Sequence, residues 1–318
     1  MWLRLQEDFL GENDMIVIIL AVVLTGLYGM YWYTFGADDK RAAKDEDFPP
    51  YKGYEHHVEP HKKRIAELQE IPYKKMTFIA RDGVQLFGKY YHVKDGAPLT
   101  IMFHGYRSTA LRDGLGILRI CQEEGYNILL VDQRAHYDSG GKAITFGVKE
   151  RYDCLEWVNH MIAYLGKDTK VALMGLSMGG STVLMSTELD LPSNVKGVIA
   201  DCAYSTARDI IGERIKELHL PVGPVYAIIR LSAILFGGFD PEGASAKEAL
   251  KKCKLPVLFI HGEGDTYVPC RMSKENYESC KDLAETFFVP EAEHGMSYVL
   301  NKEGYRETVK RFLKKVLK

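Results

Sequence analysis

After residue 74 the hydrophobic positions of this chain switch repeatedly between strand-like runs and helical spacing. Met76–Ala80 and Val84–Val93 flank the turn Arg81-Asp82-Gly83 and predict a hairpin. Apolar runs at Leu99–Phe103, Asn127–Val131, Lys170–Met174 and Val195–Ala200 predict further strands. Helices are expected over about Asp113–Glu124 and Lys149–Leu165 and again after Ser177. Leu255–Ile260 and Thr286–Val289 read as two more strands, and Val309, Phe312, Leu313 and Val316 give Lys302–Lys318 the apolar face of a packed terminal helix. Strands alternating with helices predict an α/β chain, a mostly parallel sheet wrapped on both faces.

Three stretches fall outside that alternation. Met15–Phe35 carries no charge, and its 21 residues at helical rise reach roughly 30 Å, so a transmembrane anchor over 15–35 is expected. Tyr28, Tyr31, Trp32 and Tyr33 gather at one end, as an interfacial aromatic belt would. The flank 1–14 holds Glu7, Asp8, Glu12 and Asp14 against Arg4 alone, which disfavours a cleaved signal peptide. Residues 36–73 read as a charged linker, solvated over Asp38–Asp47, with a short amphipathic helix at His61–Glu70 lying over the domain. Tyr204–Cys253 reads as a helical cap over the site, and its middle, Leu220–Phe239, is almost wholly apolar, with Pro221, Pro224 and Arg230 inside it. Prolines and that arginine argue against a second span.

Candidate chemistry begins at Gly175-Leu176-Ser177-Met178-Gly179, between an apolar run and a predicted helix. A serine on a sharp strand-to-helix turn needs small residues two positions either side, because the backbone leaves no room for a Cβ. Ser177 is therefore the candidate nucleophile. A serine hydroxyl needs a base and an acid to orient that base. Asp265 follows the strand Leu255–Ile260, and His294 follows Thr286–Val289. Asp201, after Val195–Ala200, is the alternative acid. Oxyanion donors are expected from the backbone N–H groups of Met178 and Tyr106, the latter in the loop after Leu99–Phe103.

Together HGYRS, DQRAHYDSGG, GLSMGG, HGEGDTYVP and AEHG resemble the α/β-hydrolase superfamily over about Lys74–Lys318. With the apolar span in front, the chain is similar to single-pass membrane-anchored serine hydrolases that act as esterases, thioesterases or lipases. The resemblance implies an α/β-hydrolase fold with a helical cap, an acyl-enzyme on Ser177, and an ester or thioester substrate. Acyl transfer, amide cleavage and a non-catalytic binding module are the alternatives. The pattern DxRGxGxS departs here, since Ala135 and Tyr137 replace both glycines, and a differently shaped loop is expected. His104 and His261 are expected to be structural, Asp132 and Arg134 to pair, and His136 could touch substrate.

Composition adds boundaries. With 318 residues, 46% hydrophobic and net charge −2, the chain can bury one large core, and no basic aromatic patch suggests nucleic acid. No cofactor or metal is expected, since no His/Cys cluster has ligand spacing. The expected partners are a small-molecule or lipid-like acyl substrate and the membrane, with oligomeric state left open. Lys40, Arg41, Lys44 and Lys52 follow the span, which places the domain on the cytoplasmic side, and six cysteines without a disulfide pattern agree.

Overall fold

Runs that are apolar at nearly every position, rather than at alternate ones, form the middle of one sheet. The computed structural model describes residues 12–38 and 41–318. Most of the flank 1–14, and Lys40 of the basic cluster, therefore lie outside the described residues. Helix α1 (Glu12–Phe35) and helix α2 (Val58–Gln69) precede the hairpin β1 (Lys74–Ile79) and β2 (Gln85–Tyr91). There follow β3 (Leu99–Phe103), α3 (Ala110–Glu124), β4 (Asn127–Asp132), α4 (Glu150–Leu165), β5 (Val171–Leu176), α5 (Met178–Ser186) and β6 (Val195–Asp201). Helices α6 (Ala207–Glu217), α7 (Val222–Ser232), a π turn (Ala233–Gly237) and α8 (Ala246–Leu250) interrupt the alternation. It resumes with β7 (Val257–Gly262), α9 (Arg271–Glu278), β8 (Ala284–Val289), α10 (Ser297–Leu300) and α11 (Lys302–Leu317).

The eight strands are ordered β1-β2-β4-β3-β5-β6-β7-β8, parallel from β4 onward and antiparallel at the β1–β2 and β2–β4 pairs. Every residue of β3, β4 and β7 is buried, as expected where helices cover both faces of parallel strands. One face packs Ile101, Phe103, Leu129 and Trp157 into a core that reaches α1 through Phe35. The other packs Met102, Leu130, Met174 and Ile199 under α3 and α11. Element types match the sequence expectation, with ends moved by a few residues.

Three expectations change. Arg134 does not pair with Asp132. Its guanidinium instead reaches Asp153 on α4 at 2.5 and 2.6 Å and Asp82 at 2.7 Å, because a buried guanidinium is best satisfied by planar, two-pronged carboxylate contacts. Ala135 (φ 61°) and Tyr137 (φ 47°) occupy the left-handed region that glycine favours, so loss of both glycines has not driven the backbone out of it. The linker is not merely solvated. Ala43 donates to the Arg107 carbonyl at 2.8 Å, Thr109 donates to Asp45 at 2.5 Å, and Arg112 donates to the Asp47 carbonyl at 2.9 Å.

Removing one partner of a buried ion pair strands the other charge. Asp153→Ala, which leaves the buried Arg134 with only the half-exposed Asp82, is expected to cost about 3 kcal/mol of unfolding free energy. Asp82→Ala is expected to cost less than about 1 kcal/mol. Urea denaturation of both variants checks the ranking.

Candidate active site

The strand-to-helix turn after β5 leaves no space for side chains on its glycines. A Cβ at Gly175 would lie 2.1 Å from the Gly179 backbone, and one at Gly179 would lie 2.0 Å from the Phe103 carbonyl oxygen. Ser177, between them, is held at φ 54° and ψ −116°, a conformation that L-residues adopt only when their surroundings over-determine it. Its N–H donates to the Asp201 carbonyl at 2.8 Å, which ties the turn to the end of β6. The result projects Oγ above the carboxyl ends of the strands, at the start of α5.

Loops after β7 and β8 bring the other two candidates to it. His294 Nε2 lies 2.9 Å from Ser177 Oγ, and His294 Nδ1 lies 2.7 Å from Asp265 Oδ2. An ionised carboxylate only accepts, so Nδ1 carries the proton and Nε2 presents its lone pair to the hydroxyl. Asp265 Oδ1 accepts the backbone N–H groups of Tyr267 and Val268 at 2.9 and 2.7 Å. Its Oδ2 is also met by His261 Nε2 at 3.1 Å. Burial alone would raise the Asp265 carboxyl, but the His294 imidazole and then that of His261, both hydrogen-bonded to it, hold it well below the usual carboxylate range. His261 thus has a larger part than the loop-bonding role expected of it. Ser273 Oγ lies 2.7 Å from its Nδ1, on the side away from Asp265.

The alternative acid is occupied elsewhere. Asp201 is buried, and its Oδ2 accepts from the Tyr305 hydroxyl at 2.9 Å while Oδ1 has no protein partner. Burial pushes this carboxyl up to about 7.

The loop after β3 faces Ser177. A Cβ on Gly105 would come within 3.4 Å of the Ser177 Cβ. Among the described residues neither the Tyr106 nor the Met178 N–H donates to another group of the protein, which leaves both available as oxyanion donors. Asp113 fixes this loop by accepting from the Gly105 N–H and the Ser108 hydroxyl, each at 2.7 Å. His136 does the same from below: its Nε2 accepts the Arg107 N–H at 3.0 Å while Nδ1 donates to the Arg134 carbonyl at 2.9 Å. Burial, together with the neighbouring His104, pushes His136 down to about 3, so it stays neutral and can accept. It is a loop support without cavity contact, and His104 is likewise structural, accepting from the Gln133 N–H at 3.0 Å.

The loop also meets α1. The Tyr106 hydroxyl donates to the Thr34 carbonyl at 2.9 Å, and Arg107 donates to the Tyr33 carbonyl at 2.8 Å. Arg41 caps the same helix end through the Trp32 and Tyr33 carbonyls at 2.8 and 2.7 Å. These donors satisfy carbonyls that a helix C-terminus leaves open, and the two arginines complement its negative pole.

A cavity of about 310 Å³ opens beside Ser177 and His294. Phe48, Pro50 and Tyr51 of the linker and Leu115, Ile117 and Tyr298 line it. Residues 204–253 contribute none of the lining described. The stretch expected to roof the site instead packs on α1, with Phe236 against Tyr28 and Phe239 against Phe35, and the linker takes the roofing place. Cys202, Asp265 and His294 have ligand atoms within 4.8 Å of one another, but the His294 nitrogens are already engaged with Ser177 and Asp265. Burial raises the Cys202 thiol above its ordinary value.

A hydroxyl, an imidazole and a carboxylate in line at the carboxyl ends of a parallel sheet define the class of serine hydrolases. The comparisons agree: the alpha/beta hydrolase fold family matches residues 102–223, and the serine hydrolase (FSH1) family matches residues 216–295. The uncharacterized protein YqkD of Bacillus subtilis (strain 168) is 30% identical over 232 residues, 71% of this chain and 74% of that protein. The bifunctional esterase/perhydrolase DCH of Acinetobacter calcoaceticus is 25% identical over 258 residues, 68% of this chain and 91% of that protein. The solved structure of the Pyrococcus furiosus esterase Pf2001 shares 25% identity at a TM-score of 0.63, covering 79% of this chain and 94% of that one. The chain belongs to the α/β-hydrolase family and is a serine hydrolase.

Asp201 gives a stability prediction. A carboxyl raised in the folded state makes folding take up a proton, so its contribution is full at low pH and is lost as pH rises from about 4 through about 7. Asp201→Asn removes that loss. The melting temperature of the variant relative to the parent is expected to shift upward between pH 5 and pH 8 in paired thermal scans.

Proposed function

We propose that the protein is a membrane-anchored serine hydrolase that cleaves carboxylic ester or thioester bonds through an acyl-enzyme on Ser177. The observation that carries this reading is the line Ser177 Oγ, His294, Asp265, with hydrogen bonds of 2.9 and 2.7 Å. Ser177 Oγ attacks the substrate carbonyl carbon as His294 Nε2 takes its proton. The buried Asp265 carboxylate holds the imidazole in the Nδ1–H tautomer and stabilises its charge. The Tyr106 and Met178 N–H groups, free of acceptors among the described residues, receive the negative charge that develops on the carbonyl oxygen. Breakdown expels an alcohol or thiol protonated by His294. Water, deprotonated by the same imidazole, then attacks the acyl carbon and frees Ser177 as the acid leaves.

Phe48, Tyr51, Leu115 and Ile117 in the cavity lining favour an apolar acyl group, small or lipid-like. Anchoring is assigned to α1, whose apolar stretch Asp14–Phe35 is long enough to cross a bilayer. The cytoplasmic side is assigned to the domain on two grounds. Arg41, Lys44 and Lys52 follow the span, and all six cysteines are unpaired and buried.

A fluorophosphonate probe is expected to label the full-length protein, and Ser177→Ala to abolish labelling. An unlabelled parent protein would mean that the fold is kept without the chemistry. Asp265→Asn is expected to lower kcat on p-nitrophenyl esters by roughly 10³–10⁴-fold, the scale of losing the imidazole's orientation, while Asp201→Asn retains most activity. The opposite ranking would move the acid to Asp201. Esters of graded chain length then measure how much acyl group the cavity accepts.

A further inference from the structure

Bilayer thickness constrains more than the anchor. A helix rises about 1.5 Å per residue, so a hydrocarbon core about 30 Å thick takes about 20 residues. The apolar stretch of α1 has 22, from Asp14 to Phe35, so nearly all of it is needed. Its last two turns, however, are already packed on the domain. Tyr31 and Phe35 are buried. Phe35 meets Phe146 and Phe239 edge-on at 5.7 and 5.2 Å, and Tyr28 meets Phe236 at 5.4 Å. Tyr28 precedes Phe35 by seven residues, about 10 Å along the axis. Full insertion of α1 therefore draws whatever lies level with Tyr28 below the lipid headgroups.

The domain presents α7 and the π turn at that level. Ile228, Leu231 and Leu235 recur at helical spacing and are exposed, at 41%, 46% and 55%, and Ile234 and Phe236 widen the stripe. Tyr226, Ile229, Ser232 and Ala233 form the inner, buried face. A water-facing helix would carry polar residues on its outer side, so this pattern is inverted. From Leu220 to Phe239 the one charged residue is Arg230. Asp240 accepts from it at 2.6 and 2.8 Å, and Glu242 lies 2.9 Å away. Its charge is compensated at the rim and does not oppose burial of the stripe.

We propose that residues 222–237 form a second, monotopic membrane element, with the outer stripe of α7 and the π turn lying among lipid acyl chains beside the end of α1. The domain is then seated in one leaflet instead of swinging from a tether. This inference rests on the reading of α1 as a span. It adds that lipid, and not water or a second copy of the chain, covers the stripe.

The test uses the full-length protein, one copy per phosphatidylcholine nanodisc. All six native cysteines are buried, so an NBD fluorophore can be attached selectively at Leu231→Cys or Leu235→Cys. Ile19→Cys serves as the α1 control and Glu248→Cys as an exposed polar control. Blue-shifted emission quenched several-fold by doxyl-labelled lipid at 19, 231 and 235, but not at 248, is the expected result. Quenching at 19 with water-like, unquenched emission at 231 and 235 would overturn the inference and leave the anchor standing. Blue-shifted but unquenched emission at 231 and 235 would overturn it in favour of a protein cover. No quenching at 19 would overturn the anchor reading, and the inference with it. Unfolding midpoints matching the parent show that each labelled variant is folded.

Discussion

Everything at the site depends on how closely α5 approaches β3 and β5. The backbone at Gly179 comes so near the Phe103 carbonyl that a single methyl group would overlap it. That approach lets the chain reverse within one residue, at Ser177, and forces that residue to φ 54°. The strain at Ser177 is confined by bonds on both sides: its N–H is tied to β6, and its carbonyl accepts the Ser181 N–H at 3.0 Å. A rigid sheet edge, buried throughout its central strands, makes the position of the hydroxyl a property of the whole core.

A second convergence is built around Asp265. This carboxylate is fully buried and is met by four donors, two backbone N–H groups and two imidazoles. A buried charge with incomplete partners would be costly; one with every lone pair engaged is fixed in place and strongly acidic. His261 contributes to that without touching Ser177. The pair Asp113 and His136 has the same relation to the oxyanion loop, holding Gly105 and Arg107 from two directions.

The segment before the sheet links α1 to the site. The end of α1 offers open carbonyls, and Tyr106 and Arg107, from the loop that faces Ser177, supply donors to them. The linker beyond continues over the domain and lines the cavity with Phe48 and Tyr51. The site, the linker and α1 are therefore adjacent parts of one packing arrangement.

Local pattern in the sequence determined the order and type of the elements, because core strands and amphipathic helices declare themselves through periodicity. It also determined the candidates Ser177, Asp265 and His294, because a sharp turn demands glycines at 175 and 179 and because the relay residues each follow a strand. Only tertiary structure decided what those residues touch. The HGxxD setting already favoured Asp265 over Asp201; what the sequence could not show is that His294 meets the Asp265 carboxylate while Tyr305, 104 residues further on, takes that of Asp201. The contact of His261 with Asp265, the supports at Asp113 and His136, the partner of Arg134 and the exchange of roles between linker and 204–253 are all long-range pairings. Apolar stretches such as Leu220–Phe239 state only that they avoid water. Which surface they find, α1 instead of the cavity, is fixed by shape after the chain has folded.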